Sequence, residues 1–241
     1  MLPSQQPDRA PRRLRDLSSK RVIGGVAALV VVLVGAPWFY IHVVEGKAPA
    51  KLTLDTATSS AAPARAGSLN GTWAVAAESV AGYRVKETLF GQKADAVGRT
   101  NDVTGDVTVE GNTVTGAKFE VDMTTVKSDR NQRDNQFQGR IMDTSSFPKA
   151  TFTSTDPIGV PAEAVAGKQF TAKATGDLTL HGKTKSVAFT VTGQKSAAGF
   201  DVTAQIPIVF ADFGIDNPSF GPAQTGDDGV LEVLLKLAPK A

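Results

Sequence analysis

The feature that most restricts this chain is a strict period of two over residues 176–193, GDLTLHGKTKSVAFTVTG. Leu178 and Leu180 alternate with Asp177 and Thr179, and Val187, Phe189 and Val191 alternate with Ser186, Ala188, Thr190 and Thr192. Successive side chains of a strand point to opposite faces, so these apolar residues share one face. The polar interval His181-Gly182-Lys183-Thr184-Lys185 predicts the loop of a β-hairpin between the two runs. A lone hairpin is marginal in water, so neighbouring strands must cover its apolar face.

Similar runs follow one another from residue 69 onward. Strands are predicted within 72–75, 83–87, 102–110, 112–123, 150–155, 169–180, 186–194, 199–210 and 229–237. In the last of these, Leu231, Val233, Leu235 and Leu237 face one way, and Val230, Glu232, Leu234 and Lys236 the other. Glu110-Gly111-Asn112 is the turn of a second hairpin. One interval departs from the pattern: 128–140, SDRNQRDNQFQGR, is polar and lacks β-branched residues. It predicts a short helix capped by Asp129, with Phe137, Ile141 and Phe147 as its apolar contacts with the sheet. The expected fold is all-β, an antiparallel barrel of about eight strands with one short helix, preceded by a single transmembrane helix.

That preceding helix is read from residues 22–44, a stretch of 23 residues with no formal charge except a possible one on His42. About 20 apolar residues cross a bilayer core, and its glycines and Pro37 are tolerated in lipid. Trp38, Phe39 and Tyr40 lie near its distal end, where aromatic rings favour the interface. Residues 1–21 carry six basic side chains against Asp8 and Asp16, reading as a disordered cytoplasmic tail. Without them, 20 basic residues face 22 acidic ones, so the basic balance does not indicate nucleic acid. Ala48-Pro49-Ala50 resembles a signal-peptide cleavage site, but the apolar stretch exceeds the usual core of about 7–15 residues. Residues 22–44 are therefore expected to be an uncleaved signal anchor in the cell membrane, single-pass, with everything after it extracytoplasmic. Residues 45–68, rich in Ala, Ser, Thr and Pro, read as a flexible linker with an average reach of about 25–30 Å. Residues 69–241 form the barrel domain.

Four stretches, in order, resemble the YceI family of lipocalin-like, polyisoprenoid-binding proteins. They are Arg133-Asp134, Phe147-Pro148-Lys149-Ala150-Thr151-Phe152, Gly176-Asp177-Leu178-Thr179-Leu180-His181-Gly182 with Thr184-Lys185, and Asp212-Phe213-Gly214-Ile215. The resemblance implies an elongated eight-stranded barrel whose apolar cavity takes an isoprenoid chain, often in a homodimer. Many relatives carry histidine near the start of the domain and in the polar helix. Here those regions read Glu78-Ser79-Val80-Ala81-Gly82-Tyr83-Arg84 and Arg133-Asp134-Asn135-Gln136-Phe137.

Catalysis is poorly supplied. The domain has one histidine, His181, and the chain has no cysteine, which removes disulfides, thiol nucleophiles and histidine-rich metal sites. His181 beside Gly182 reads as a turn residue bonded to backbone rather than a general base. Asp212, Asp216, Asp227 and Asp228 lack the ligand spacing of a calcium loop. No cofactor, no metal and no enzyme activity are expected. Binding is better supplied, because Phe119, Val121, Phe137, Ile141, Phe147, Phe152, Leu178, Leu180, Phe189, Phe210 and Phe213 fall on apolar faces directed inward. These residues, with Arg133 at the barrel or its mouth, are the candidate ligand-binding set. For most of them, ordinary core packing is the competing reading. A barrel of eight strands can fill its interior or hold one small ligand.

Each buried methylene contributes about 0.8 kcal/mol relative to water, but almost nothing relative to a bilayer. A tethered barrel therefore suits holding or carrying an isoprenoid or other long-chain apolar lipid at the membrane face. The alternatives are a structural or partner-binding module of the cell envelope, with a filled interior, and a lipid-modifying hydrolase.

Overall fold

The protein is described by a computed structural model covering residues 48–54, 69–165, 168–196 and 198–240. The apolar span expected over 22–44 and the tail before it lie outside the described residues. Among those residues no helix is long and apolar enough to cross a membrane.

The chain from residue 71 runs up and down around one ring. Its strands are β1 (Gly71–Val75), β2 (Val80–Leu89), β3 (Gln92–Thr100), β4 (Val103–Glu110), β5 (Thr113–Asp122), β6 (Lys127–Ser128) and β7 (Lys149–Ser154). They are followed by β8 (Ile158–Gly159), β9 (Phe170–Leu180), β10 (Lys183–Lys195), β11 (Phe200–Val209), β12 (Ala223–Thr225) and β13 (Asp228–Pro239). β1 pairs with β4 and β2 with β3, so β1 and β2 form one broken wall strand, and β3 and β4 the next. β5 and β6 make the third wall, interrupted by a 3-10 turn at Met123–Thr125. The remaining walls are β7, β9, β10, β11 and β13, and pairing of β13 with β1 closes eight walls into a barrel. The expected antiparallel barrel with one short helix is therefore present.

The break between β1 and β2 has a local cause. Glu78 sits at φ +66, and the Ser79 hydroxyl donates to the Ala76 carbonyl at 2.8 Å while accepting from Lys236 N–H at 3.0 Å. Ser79 is buried, and these bonds satisfy the backbone groups that the bend frees. Helix α1 (Asn131–Gln136) continues into one wide turn over Phe137–Ile141. Asp129 does not cap it: Arg130 occupies that position without a side-chain bond, and Asp129 instead pairs with Arg133.

Two further expectations are corrected by the structure. The hairpin loop is only His181-Gly182, with φ +50 and +70, and the strand resumes at Lys183. Positive φ at both turn residues matches the right-handed twist of the flanking strands, which is why so short a turn suffices. The strand β3 has no counterpart in the periodicity, because its inward positions are Ala94, Ala96, Gly98 and Thr100. Small residues carry no apolar signal, yet one is required here. A Cβ on Gly98 would lie 2.4 Å from the Tyr83 ring that covers it.

The interior divides into two packed clusters. At the α1 end, Phe137, Leu178, Leu180, Ile208, Phe210, Phe213 and Ile215 pack with Val85, Met123 and Met142. Toward the other end, Leu69, Val103, Val107, Val109, Phe200, Leu235 and Leu237 pack together, and Trp73 meets Phe200 edge to face at 5.1 Å. Outside the ring, residues 48–54 run across the wall as a strap. The Pro49 carbonyl accepts from Arg84 at 2.8 Å, Ala50 from Arg99, and Leu52 from Thr203 at 3.2 Å. The first described part of the expected linker is thus held against the barrel.

Candidate functional site

β10 and β11 pair only over Val191–Lys195 and Phe200–Ala204. Beyond that, 183–190 of β10 bonds to β9 alone and 205–209 of β11 to β13 alone, so the wall is split at the α1 end. The 3-10 turn Phe210–Phe213 and the following Ile215 stop the end of this split, with Phe213 only 2% exposed. His181 Nδ1 lies 3.3 Å from the Phe213 carbonyl, tying the hairpin turn to that plug.

Behind the split stands a row of aromatic rings. Phe189 on β10 meets Phe152 on β7 edge to face at 5.3 Å, and Phe152 stacks toward Phe119 on β5 at 6.5 Å. β9 runs between β7 and β10, and it presents Gly176 beneath the Phe152 ring. Without a side chain there, rings on two non-adjacent strands can touch. Phe119, Val121, Val187, Phe189, Val191 and Val202 all face inward by register but remain only half-buried. Inward-facing side chains of a closed barrel keep exposure only where they border space that solvent can reach. Ala172, Ala174 and Ala204 lie on the same inner face and contribute only a methyl each to its filling.

The mouth beside α1 is polar. Arg133 Nη2 lies 3.1 Å from Glu87 on the inward face of β2, where Glu87 is buried, and the same guanidinium reaches Asp129. Asp134, also buried, accepts from both the N–H and the hydroxyl of Ser128 at 2.7 Å. Tyr83 stacks on Phe137 with ring centroids 5.0 Å apart, and burial pushes its phenol well above the ordinary value.

The structure sorts the candidate set into four places. Phe137, Leu178, Leu180, Phe210 and Phe213 are packed core at the α1 end, with Val121 and Ile141 at its margin. Phe119, Phe152 and Phe189 form the aromatic row. Phe147 packs its edge on His181 at 4.7 Å and covers Gly182, so it serves the turn. Arg133 is at the mouth. Sequence reasoning did not assign Tyr83 and Glu87 to this inner face. Their signal was the two-residue period of 83–87, which places Tyr83, Val85 and Glu87 together.

Arg84 is not at the mouth. It projects from the outer wall, 2.6 Å from Glu232, and Arg99 joins the same carboxylate at 3.1 Å under the strap. An open cleft of about 500 Å³ lined by Pro161, Glu163, Gln169, Phe170 and Thr171 lies away from the candidate set.

An eight-walled, antiparallel, up-and-down barrel with a hairpin-tied plug and an aromatic inner row defines a lipocalin-like protein. Residues 53–237 match the family model described as YceI-like domain, and the chain belongs to that family. It is 33% identical over 134 residues to a UPF0312 protein of Pseudomonas putida (strain W619), covering 50% of this chain and 64% of the relative. In fold it is similar to a polyisoprenoid binding domain from Saccharophagus degradans implicated in plant cell wall breakdown. That likeness has a TM-score of 0.54 at 16% identity and covers 71% of this chain and 99% of the other. BcnA of Burkholderia cenocepacia is similar at TM-score 0.51 and 18% identity, over 69% of this chain and 96% of the other.

Proposed function

We propose that this protein is a membrane-tethered, extracytoplasmic lipid-binding protein that holds or carries an isoprenoid-type chain within its barrel. The carrying observation is the inner aromatic row, in which Phe119 and Phe189 stay half-buried on either side of the buried Phe152, beside the split between β10 and β11. Family membership and the polyisoprenoid-binding fold neighbour support a long apolar ligand. The apolar stretch at 22–44 and the basic residues before it support a single-pass anchor with its N-terminus in the cytoplasm.

Rings packed edge to face suit a chain of branched isoprene units, which needs contact along its length and few directed bonds. Arg133 beside Glu87 supplies the polar group at the end of such a slot. Among the described residues the inner face brings no nucleophile and base into contact, and retention of a ligand is the reading we adopt. Lipids co-purifying with the full chain are to be extracted and identified by mass spectrometry. Stoichiometric recovery of a polyprenyl or similar chain is expected. Repeated recovery without lipid, and no uptake of added polyprenol, would falsify the reading and leave a structural module.

A further inference from the structure

The split leaves a strand edge whose inner face changes character partway along. Over 183–190, β10 bonds to β9 alone, and its odd-numbered residues share the face of Leu178 and Leu180. On that face Lys183 and Lys185 come first, followed by Val187, Phe189 and Val191. Lys183 pairs with Leu180 and Lys185 with Leu178, so register turns both lysines to the lining side although both stay exposed. Two cations are thus continuous with the half-buried strip beside the aromatic row.

Neither ammonium is neutralised by the protein. Arg133 at the mouth is shared by Glu87 and Asp129, and Lys127 faces Asp134. Lys183 and Lys185 form no ion pair and no side-chain hydrogen bond among the described residues. The acids of the surrounding elements are otherwise placed. Asp177 of β9 faces outward opposite Ser186, Asp143 accepts from Ser145, and Asp227 accepts from Asn217. Asp212, Asp216 and Asp228, on and around the plug, pair with neither lysine. An added Cβ on Gly214 would lie 2.6 Å from Lys183 Nζ, so that ammonium stands against the plugged end of the split.

Charge on a free edge also discourages pairing with another chain, whatever its sign. Here both charges are positive, and they sit on the lining face two residues apart, roughly 6–7 Å along the strand. A phosphate monoester carries roughly −1.5 to −2 charges near neutral pH, which two ammonium groups match. We propose that Lys183 and Lys185 form the head subsite for a phosphorylated isoprenoid chain, whose tail lies along Val187, Phe189 and Val191. This rests on the lipid-binding reading above and adds the chemistry of the head.

Geranylgeranyl phosphate and geranylgeraniol share one chain and differ in the head. Their binding to the full chain in a single detergent is measured by displacement of a fluorescent prenyl analogue. The native chain is expected to favour the phosphate about tenfold or more, by a margin that shrinks as salt rises. Lys183→Glu with Lys185→Glu keeps charge on the edge and is expected to erase or reverse that margin. Lys86→Glu with Lys93→Glu makes an equal change of charge on the outer wall and is expected to keep it. The margin is compared between proteins in the same micelles, so partition of the lipids cancels. Should the reversal impair folding, Lys183→Gln with Lys185→Gln is read the same way. A margin shared by the native chain and these variants overturns the head subsite and leaves the lipid reading intact. Inorganic phosphate that displaces the lipid phosphate at equal concentration reassigns the lysines to a free anion and overturns the subsite as well. Binding of neither lipid overturns the lipid reading itself, and the subsite with it.

Discussion

The ring of Phe152 lies where a side chain on Gly176 would be, since a Cβ there would come within 2.5 Å of it and 2.4 Å of the Thr153 carbonyl. That empty position lets Phe152 reach Phe189 across the intervening strand. Replacing Gly176→Val should push the ring aside, break the row and cost about 1–3 kcal/mol through overpacking. Urea denaturation gives the cost, and polyprenol uptake should fall with it. Unchanged uptake would remove the row from the site.

Phe189 and Phe213 separate binding from folding. Phe189→Ala removes a half-buried ring at the split and should weaken lipid binding about tenfold, a loss near 1.4 kcal/mol. Phe213→Ala opens the packed plug and should cost about 3–5 kcal/mol of stability. Titration with a fluorescent polyprenyl analogue, alongside chemical melts, distinguishes the two.

Glu232 is 1% exposed and holds both Arg84 and Arg99 on the outer wall. Glu232→Ala leaves Arg99 without this carboxylate and Arg84 with Asp95 at 2.9 Å as its remaining acidic partner, and breaking a buried pair in this way costs about 3–5 kcal/mol. The strap should loosen, so cleavage after Lys51 by trypsin should accelerate. A variant as stable and as resistant as the native chain would show that the cluster carries no load.

Burial raises the Tyr83 phenol above its ordinary value. The folded state therefore favours the neutral ring, and the unfolded chain ionises first. Stability from this source should be intact below about pH 10, where an unfolded tyrosine titrates, and should fall as pH rises beyond it. Tyr83→Phe should lose less stability between neutral and strongly alkaline pH than the native chain, measured by urea midpoints.

His181 occupies a left-handed turn position and contacts the Phe213 carbonyl. His181→Asn should keep the hairpin, because Asn tolerates that conformation, and should leave lipid uptake unchanged. Loss of uptake with an intact fold would assign His181 to the ligand.

Much of the barrel was legible because alternation survives translation into structure. Leu178, Leu180, Val187, Phe189 and Val191, and Leu231, Val233, Leu235 and Leu237, face inward in the register their periodicity implies. The strand over Gln92–Thr100 was not legible, since Ala96 and Gly98 sit under larger partners such as Tyr83 and announce nothing alone. The candidate site was half legible. Period two picked out Phe119, Phe152 and Phe189 as inward residues. It picked out Leu178, Leu180 and Phe210 equally, because a lining side chain and a packed one have the same period.

From its sequence alone the chain is committed to alternating strands, one polar helical interval, a short glycine-bearing hairpin and chemistry without thiols. Those are local properties, set by side-chain spacing and backbone preference. Which inner residues are sealed and which border open space was decided only when β10 and β11 parted after five residue pairs. So was the burial of Arg84 beneath residues 48–54. Both outcomes arise between segments far apart in the chain, where packing and closure of the ring act and no local pattern reaches.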